Sequence, residues 1–271
     1  MLSVLNNVSS LNAENALSST QTSLQNALLQ LSTGLKINSG SDDAAGLSIA
    51  NGLGANIAAL TQSSQNASNG IGMLQTADGA LSQVTALLNR AVTLATEAAN
   101  GNLTTAQSTA ADTEYQSILK EITQIGSTTN FNGTPVFTAV PQTVFTSDGT
   151  TGGTTTTSTT TGVLSAASLL LTGDLTSIAD ATSSLTAITD AVNVVAATRG
   201  TIGASVNTLA ADTNVENTEV TNLTSAQDNI QNADIGKTVA KMTEYNVLQQ
   251  TGMAALSQSN QAQQAILKLL Q

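Results

Sequence analysis

Between Ala44 and Asn100 the apolar residues return at intervals of three and four. The series is Leu53, Ile57, Leu60, Ser64, Ala67, Ile71, Leu74, Asp78, Leu81, Thr85, Leu88, Val92, Ala95 and Ala99, with only Ser64, Asp78 and Thr85 polar. Such spacing lays one apolar stripe along one side of an α-helix. As a single helix the segment spans roughly 80 Å at 1.5 Å per residue, far beyond a mean globular helix. It cannot be buried inside a sphere of this chain's size. It needs partners of matching length, and the chain must fold as an elongated bundle.

Both ends carry the same signature. Leu17, Leu24, Leu28, Leu31 and Leu35 form a stripe near the N-terminus, and Ile235, Val239, Met242, Met253, Leu256, Leu267 and Leu270 form one near the C-terminus. Val4, Val8 and Leu11 stand one position off the N-terminal heptad. A straight helix drifts in this way against a strict seven-residue repeat, which indicates packing among several neighbours. Terminal segments are ordinarily dispensable. These are long and incomplete alone, and so they suit pairing with each other and with other copies of the chain.

Composition supports long bundles over an ordinary core. The 271 residues include no His, Cys or Trp and only five Phe and Tyr, so Ala, Leu, Val and Ile must fill the interior. Charged residues amount to 9%, which suits surfaces crowded against their own copies, where unpaired charge is costly to bury. The net charge of −11 and seven scattered basic residues argue against nucleic acid. The apolar runs are shorter than the roughly 20 residues that cross a bilayer, so no membrane span is expected. No basic and then apolar leader is visible at the N-terminus. The absence of Cys fits the cytosol and an extracellular fibre equally.

In chain order, a helix from about Ser3 or Asn6 to Thr33 ends at Gly34. Residues 34–43 form a linker whose Asp42 or Asp43 caps the next helix. The long helix ends at Asn100-Gly101-Asn102, and a third helix over about 104–126 has Ala111, Tyr115, Ile118, Ile122 and Ile125 on one stripe. Asn132-Gly133 and Pro135 then stop the helical period. Over about 131–172 the β-like pairs Val136-Phe137 and Val144-Phe145 and a threonine run predict solvent-exposed β-hairpins. The run comprises Thr154, Thr155, Thr156, Thr157, Ser158, Thr159, Thr160 and Thr161, read either as bare surface strand or as sites of O-linked glycan. A last long helix over about 174–228 precedes an Asp234 cap and the terminal helix.

The expected class is therefore mainly α: a long antiparallel coiled-coil or helical-rod bundle with a small β-hairpin region. Its expected parts are 1–43 (N-terminal part of a terminal-helix domain, plus linker), 44–233 (rod domain) and 234–271 (C-terminal part of the terminal-helix domain). Without His or Cys, the Ser-His-Asp and Cys-His arrangements and the common zinc ligand sets cannot form. Asp42-Asp43, the only adjacent acidic pair, sits in a capping context, and no phosphate-binding loop occurs. The expectation is no enzyme, no metal and no cofactor. Glycines 52, 54, 70, 72 and 79 inside the helical pattern each cost up to about 1 kcal/mol relative to Ala, and close backbone approach or local flexibility could account for them.

The segment 29–51, LQLSTGLKINSGSDDAAGLSIAN, closely resembles the signature of bacterial flagellins. Further similarities follow in order at Leu88-Asn89-Arg90 through Leu94-Ala95, at Asn130-Phe131-Asn132-Gly133, at Arg199 to Ala204, at Asn222 to Ala226, at Leu248 to Gly252 and at Ile266 to Leu270. The resemblance implies a minimal flagellin without outer domains, polymerising with itself into the flagellar filament used for swimming. It implies terminal helices forming an inner tube, packed through Leu17, Leu24, Leu28, Leu31, Leu35, Val239, Met242, Leu256, Leu267 and Leu270. It also implies type III export without a cleaved signal peptide, to an extracellular filament. Its partners would be an export chaperone on the C-terminal helix, a filament cap and hook-junction proteins. Some flagellins are sensed by Toll-like receptor 5, and Arg90, Leu94 and Glu114 match the residues involved. Nearby Val92, Thr93, Thr96 and Glu97 depart from the family pattern. The nearest alternative, a hook–filament junction protein, tends to have Pro after the paired aspartates, where this chain has Ala44-Ala45-Gly46. A secreted binding module acting as a monomer is a different class, and it leaves the terminal stripes without a purpose. The termini are expected to be disordered in the monomer and helical in the polymer.

Overall fold

A computed structural model describes residues 7–147 and 154–269. Among the described residues five helices carry the fold: α1 (Val8–Thr33), α2 (Ala44–Ala99), α3 (Thr105–Thr128), α4 (Ile178–Gln231) and α5 (Ile235–Leu269). Four short strands lie between α3 and α4: β1 (Asn130–Phe131), β2 (Thr134–Pro135), β3 (Gln142–Ser147) and β4 (Thr154–Thr159). The expected start of the first helix at Ser3 or Asn6 lies outside the described residues. The chain divides into two compact units, one made of both ends up to Ala55 and from Asn222, the other of Asn56–Thr221.

In the unit made of the two ends, α1 and α5 pair side by side and antiparallel. Asn7 meets Ser259 and Gln263 at one end of the pair, and the Ala233 amide donates to Gly34 O at 2.8 Å at the other. The side chains facing the seam on α1 are Ser10, Ala13, Leu17, Thr20, Leu24, Ala27 and Leu31; on α5 they are Thr238, Met242, Tyr245, Gln249, Gly252, Leu256, Ser259 and Gln263. Both series alternate steps of three and four without a slip, the seam of a coiled coil. Gly34, at φ 74°, ends α1 as expected. The two linker aspartates divide the work. Asp43 caps α2 by accepting the Gly46 amide at 2.8 Å, whereas Asp42 turns back to accept the amides of Asn38 and Ser39. Those amides hold the Asp42 carboxyl below the usual range. Asp234 accepts the Lys237 amide at 3.0 Å and caps α5.

In the other unit α2, α3 and α4 share one core, with Leu74, Leu81, Leu88, Tyr115, Ile122, Ile188, Ile202 and Leu209 all buried. The buried α2 positions from Leu60 onward are Leu60, Ser63, Ala67, Gly70, Leu74, Ala77, Leu81, Val84, Leu88, Ala91, Leu94, Ala95 and Ala98. One half of the expected frame, namely Leu60, Ala67, Leu74, Leu81, Leu88 and Ala95, is thus correct. The other half is displaced by one residue: Ser63, Gly70, Ala77, Val84, Ala91 and Ala98 face the core in place of Ser64, Ile71, Asp78, Thr85, Val92 and Ala99. At Gly70 the reason is visible, since an added Cβ would stand 2.6 Å from Val144 Cγ2 and 3.3 Å from Leu209 Cδ1. Asp78, displaced to the rim, pairs with Arg199 of α4 at 2.7 Å. On α3 the expected stripe holds, and a Thr104–Gln107 capping box starts the helix.

The β region differs from the expectation in two ways. First, Val136 and Phe137 lie outside the strands and are buried in the core, whereas Val144 and Phe145 belong to β3. Asn132 (φ 51°) and Gly133 (φ 79°) form a two-residue turn joining β1 to β2, and β3 pairs antiparallel with β4 in a second sheet. Second, the hairpin is not simply solvent-exposed. Thr146, Ser147, Thr159 and Thr161 are buried, and Thr161 Oγ1 donates to Val136 O at 2.6 Å. These side chains lie against protein rather than water.

Two substitutions test this packing. Gly126 lies so close to Leu164 that an added Cβ would stand 1.8 Å from the Leu164 carbonyl oxygen. Gly126→Ala should therefore destabilise the bundle by about 2 kcal/mol or more, read by denaturant unfolding. Arg199 holds the Asp78 carboxyl below its ordinary range, so its contribution is present at neutral pH and is lost as pH falls through that depressed value. Both partners are more than a third exposed, so Asp78→Asn should cost only about 0.2–1 kcal/mol at neutral pH, a difference that vanishes in strong acid.

Candidate assembly surface

The terminal helix pair buries little of its own apolar surface. Ser10 and Ala27 on α1 and Thr238 on α5 are the only fully buried residues of the pair among those described. Seven of the fifteen seam side chains named above are Ser, Thr, Tyr or Gln, and hydrogen bonds lock their register. Asn7 Nδ2 donates to Gln263 Oε1 at 3.1 Å, and Ser10 Oγ donates to Asn260 Oδ1 at 3.2 Å.

The large apolar residues divide between two places. Leu17, Leu24, Leu31, Met242 and Leu256 enter the seam and are half-buried, and Leu35 is half-buried in a bridge to Asn232. Leu28 is 47% exposed and Val239 40% exposed. Leu270 lies outside the described residues, as does the side chain of Leu267. Val8, Leu11 and Leu29 on α1 and Ile235, Val247, Leu248 and Met253 on α5 are also exposed. Of these, Leu29, Val247 and Leu248 carry no mark in the heptad reading. The drift of Val8 and Leu11 off the seven-residue frame is the available signal for a second apolar face. A helix with apolar residues on the seam and again outside it is built for more than one neighbour.

The residues of the receptor match occupy two environments. Arg90 and Glu114 form a two-pronged pair on the surface, Nε to Oε1 at 2.7 Å and Nη2 to Oε2 at 2.9 Å. This pair holds the Glu114 carboxyl below its usual range. Leu94, 3% exposed, instead packs into the core, so it does not share the open surface with them. The apolar stripe of α2 claims it. Of the threonine run, Thr156, Ser158 and Thr160 are exposed, Thr157 is half-buried, and Thr159 and Thr161 are buried and closed to a glycan as they stand. The side chains of Thr154 and Thr155 lie outside the described residues.

Among the described residues no group of His, Cys, Asp and Glu is arranged to hold a metal ion, and no helix is long and apolar enough to cross a membrane. Among the described residues, nine of the seventeen exposed large apolar side chains lie on α1 and α5, and the others, Val140 and Leu170 among them, lie elsewhere.

Comparison with known proteins agrees with that geometry. Residues 4–141 match the bacterial flagellin N-terminal helical region, and residues 185–270 match the bacterial flagellin C-terminal helical region. The chain is 34% identical over 248 residues to a flagellin of Halalkalibacterium halodurans, covering 91% of each chain. It is 31% identical over 286 residues to a flagellin of Listeria monocytogenes, covering 99% of each. A flagellin of Bacillus subtilis is 30% identical over 301 residues, covering 97% of this chain and 98% of that one. This chain belongs to the bacterial flagellin family, and is a structural subunit that polymerises into the flagellar filament rather than an enzyme.

Proposed function

We propose that the exposed apolar face of the α1–α5 pair is the surface by which subunits pack in the filament interior, and that its order is completed only there. The exposure of Leu28, Val239 and their neighbours carries this reading. Each large apolar side chain fully covered by a neighbour contributes roughly 1.5–3 kcal/mol. Within one chain the pair gains little of this, while ordering its backbone costs about 1–2 kcal/mol per residue. Association supplies the missing burial. Repeated head-to-tail contacts that do not close give an open helical polymer. The low charge supports the same reading, because many copies can converge without trapping unpaired ions.

The same face explains the further partners. Val239, Val247, Leu248 and Met253 on α5 are the exposed apolar residues that an export chaperone would cover before assembly, and a cap at the distal end would guide incoming subunits. Export through the flagellar type III apparatus to the cell exterior completes this account. The hook–filament junction reading is not favoured, since the family resemblance runs to flagellin along nearly the whole chain.

Leu28→Glu and Val239→Glu should each prevent filament growth from seeds in electron micrographs, while changing the unfolding of the Asn56–Thr221 bundle by less than about 0.5 kcal/mol. Filaments of normal length from either variant would remove these residues from the interface. Amide hydrogen exchange should be fast throughout α1 and α5 in monomer and strongly protected in filament. Strong protection in monomer would show that the pair is stable without neighbours.

A further inference from the structure

A carboxyl group occupies the α2–α4 seam where the heptad spacing places an apolar residue. Glu216, 7% exposed, continues the buried series Val195, Ile202, Leu209 at steps of seven. Its Oε1 accepts a hydrogen bond from Ser63 Oγ on α2, and its Oε2 is buried with no hydrogen-bond partner among the described residues. Ser63 Oγ in turn accepts the Ser147 amide, the last of β3, at 3.0 Å. One relay thus ties α4, α2 and the hairpin together. The hairpin is seated on these helices by other contacts nearby. Val144 Cγ2 fills the notch at Gly70, where a Cβ would stand 2.6 Å away, and Asn66 Nδ2 donates to Phe145 O at 3.3 Å.

Among the described residues, the charges around this carboxyl all have its own sign. Asp212, one turn earlier on α4, accepts from Thr157 Oγ1 of β4 at 3.4 Å, and Glu219 follows on the same helix. On α2, residues 56–77 contain no titratable group, and neither β3 nor β4 contains one. Asp148 follows Ser147 in sequence and lies outside the described residues. The closest cation along α4 is Arg199, roughly 25 Å away by helix rise and already held by Asp78. Burial, and then the two neighbouring carboxylates, push the Glu216 carboxyl up, against the pull of Ser63. An ionised carboxylate in this seam would have one hydroxyl donor and no counter-charge among the described residues, a costly state to bury.

We propose that Glu216 is a proton-operated latch for the β3–β4 hairpin. With the carboxyl neutral, the Glu216–Ser63–Ser147 relay is closed and the hairpin is seated on α2 and α4. On ionisation the carboxylate draws in water, the relay opens at Ser63, and the seat loosens. The sign follows from the raised value. The seated state holds its proton more tightly than the open one, so its stability is full below the ordinary glutamate range and falls as pH rises through the raised value. Asp78 and the other carboxylates with depressed values act in the opposite direction, so the latch stands apart from general acid unfolding.

The test uses the full-length monomer, with amide exchange at Val144, Phe145 and Ser147 followed by NMR from about pH 4 to pH 8. Glu216→Gln keeps the shape and remains neutral, and comparing it with the parent at each pH cancels the intrinsic pH dependence of exchange. The ratio of parent to variant opening constants should rise about tenfold for each pH unit between the open-state and seated-state values, then level off. A ratio that stays constant across the range overturns the latch. A second measurement needs no substitution: the Glu216 side-chain carboxyl carbon shift in the parent protein should titrate above the ordinary glutamate range. A midpoint within or below that range overturns the proposal even if the variant fails to fold.

Discussion

The antiparallel approach of two long helices through small side chains is the contact on which the Asn56–Thr221 unit depends. With three Phe, two Tyr and no Trp, the chain has few large groups to fill a wide interior. It instead lines the buried side of α2 with Ser63, Gly70, Ala77, Val84, Ala91 and Ala98 on one half of the stripe and mostly leucines on the other. Alternating small and large residues at steps of three and four lets opposing layers interlock at near-crystalline density. Glycine is required where Val144 or Leu164 presses against helix backbone, and the threonine-rich hairpin lies close enough to the helices to lodge Ser147 and Thr159 in the interior.

That economy also explains where sequence reading stops. The existence and ends of the helices are legible, because Gly34, Asp43, Thr104 and Asp234 are strong punctuation with a local mechanism. The register within α2 is only half legible. Hydrophobicity favours Ile71 and Val92 over Gly70 and Ala91, yet the smaller residues are the fully buried ones and the larger two pack at the edge of the core. The same reversal sends Asp78 outward to Arg199. Val136 and Phe137 are β-formers and so suggest a strand, but the core claims both immediately after β2.

The candidate surface is legible in kind and only partly in detail. Leucine spacing points to both seam residues and outward-facing ones, since Leu17, Leu24 and Leu31 lie seven apart while Leu28 falls between them. Which set faces the partner helix depends on α5, whose own seam series begins at Thr238 rather than at the more apolar Val239. A hydroxyl at a seam position with a valine beside it cannot be ranked by composition. Leu94 shows the converse: a residue matched on a motif is claimed by the core, while Arg90 and Glu114 from the same motif stay on the surface.

Polar groups in both seams connect structure to behaviour. A polar residue at a coiled-coil core position costs stability and fixes register, because any slip leaves it without its partner. In the α1–α5 pair, Ser10 with Asn260 and Asn7 with Gln263 align the helices without making their union strong. A strong pair would fold alone and gain less from neighbours; an unaligned one would present its outer apolar residues in the wrong places. Register without strength is the combination that the proposed burial of Leu28 and Val239 by other copies would require. In the α2–α4 seam, Glu216 and Ser63 carry the same logic to a site that already has a strong core on one side. There the shared apolar core holds the helices, and the proposed latch would act on the seating of the hairpin.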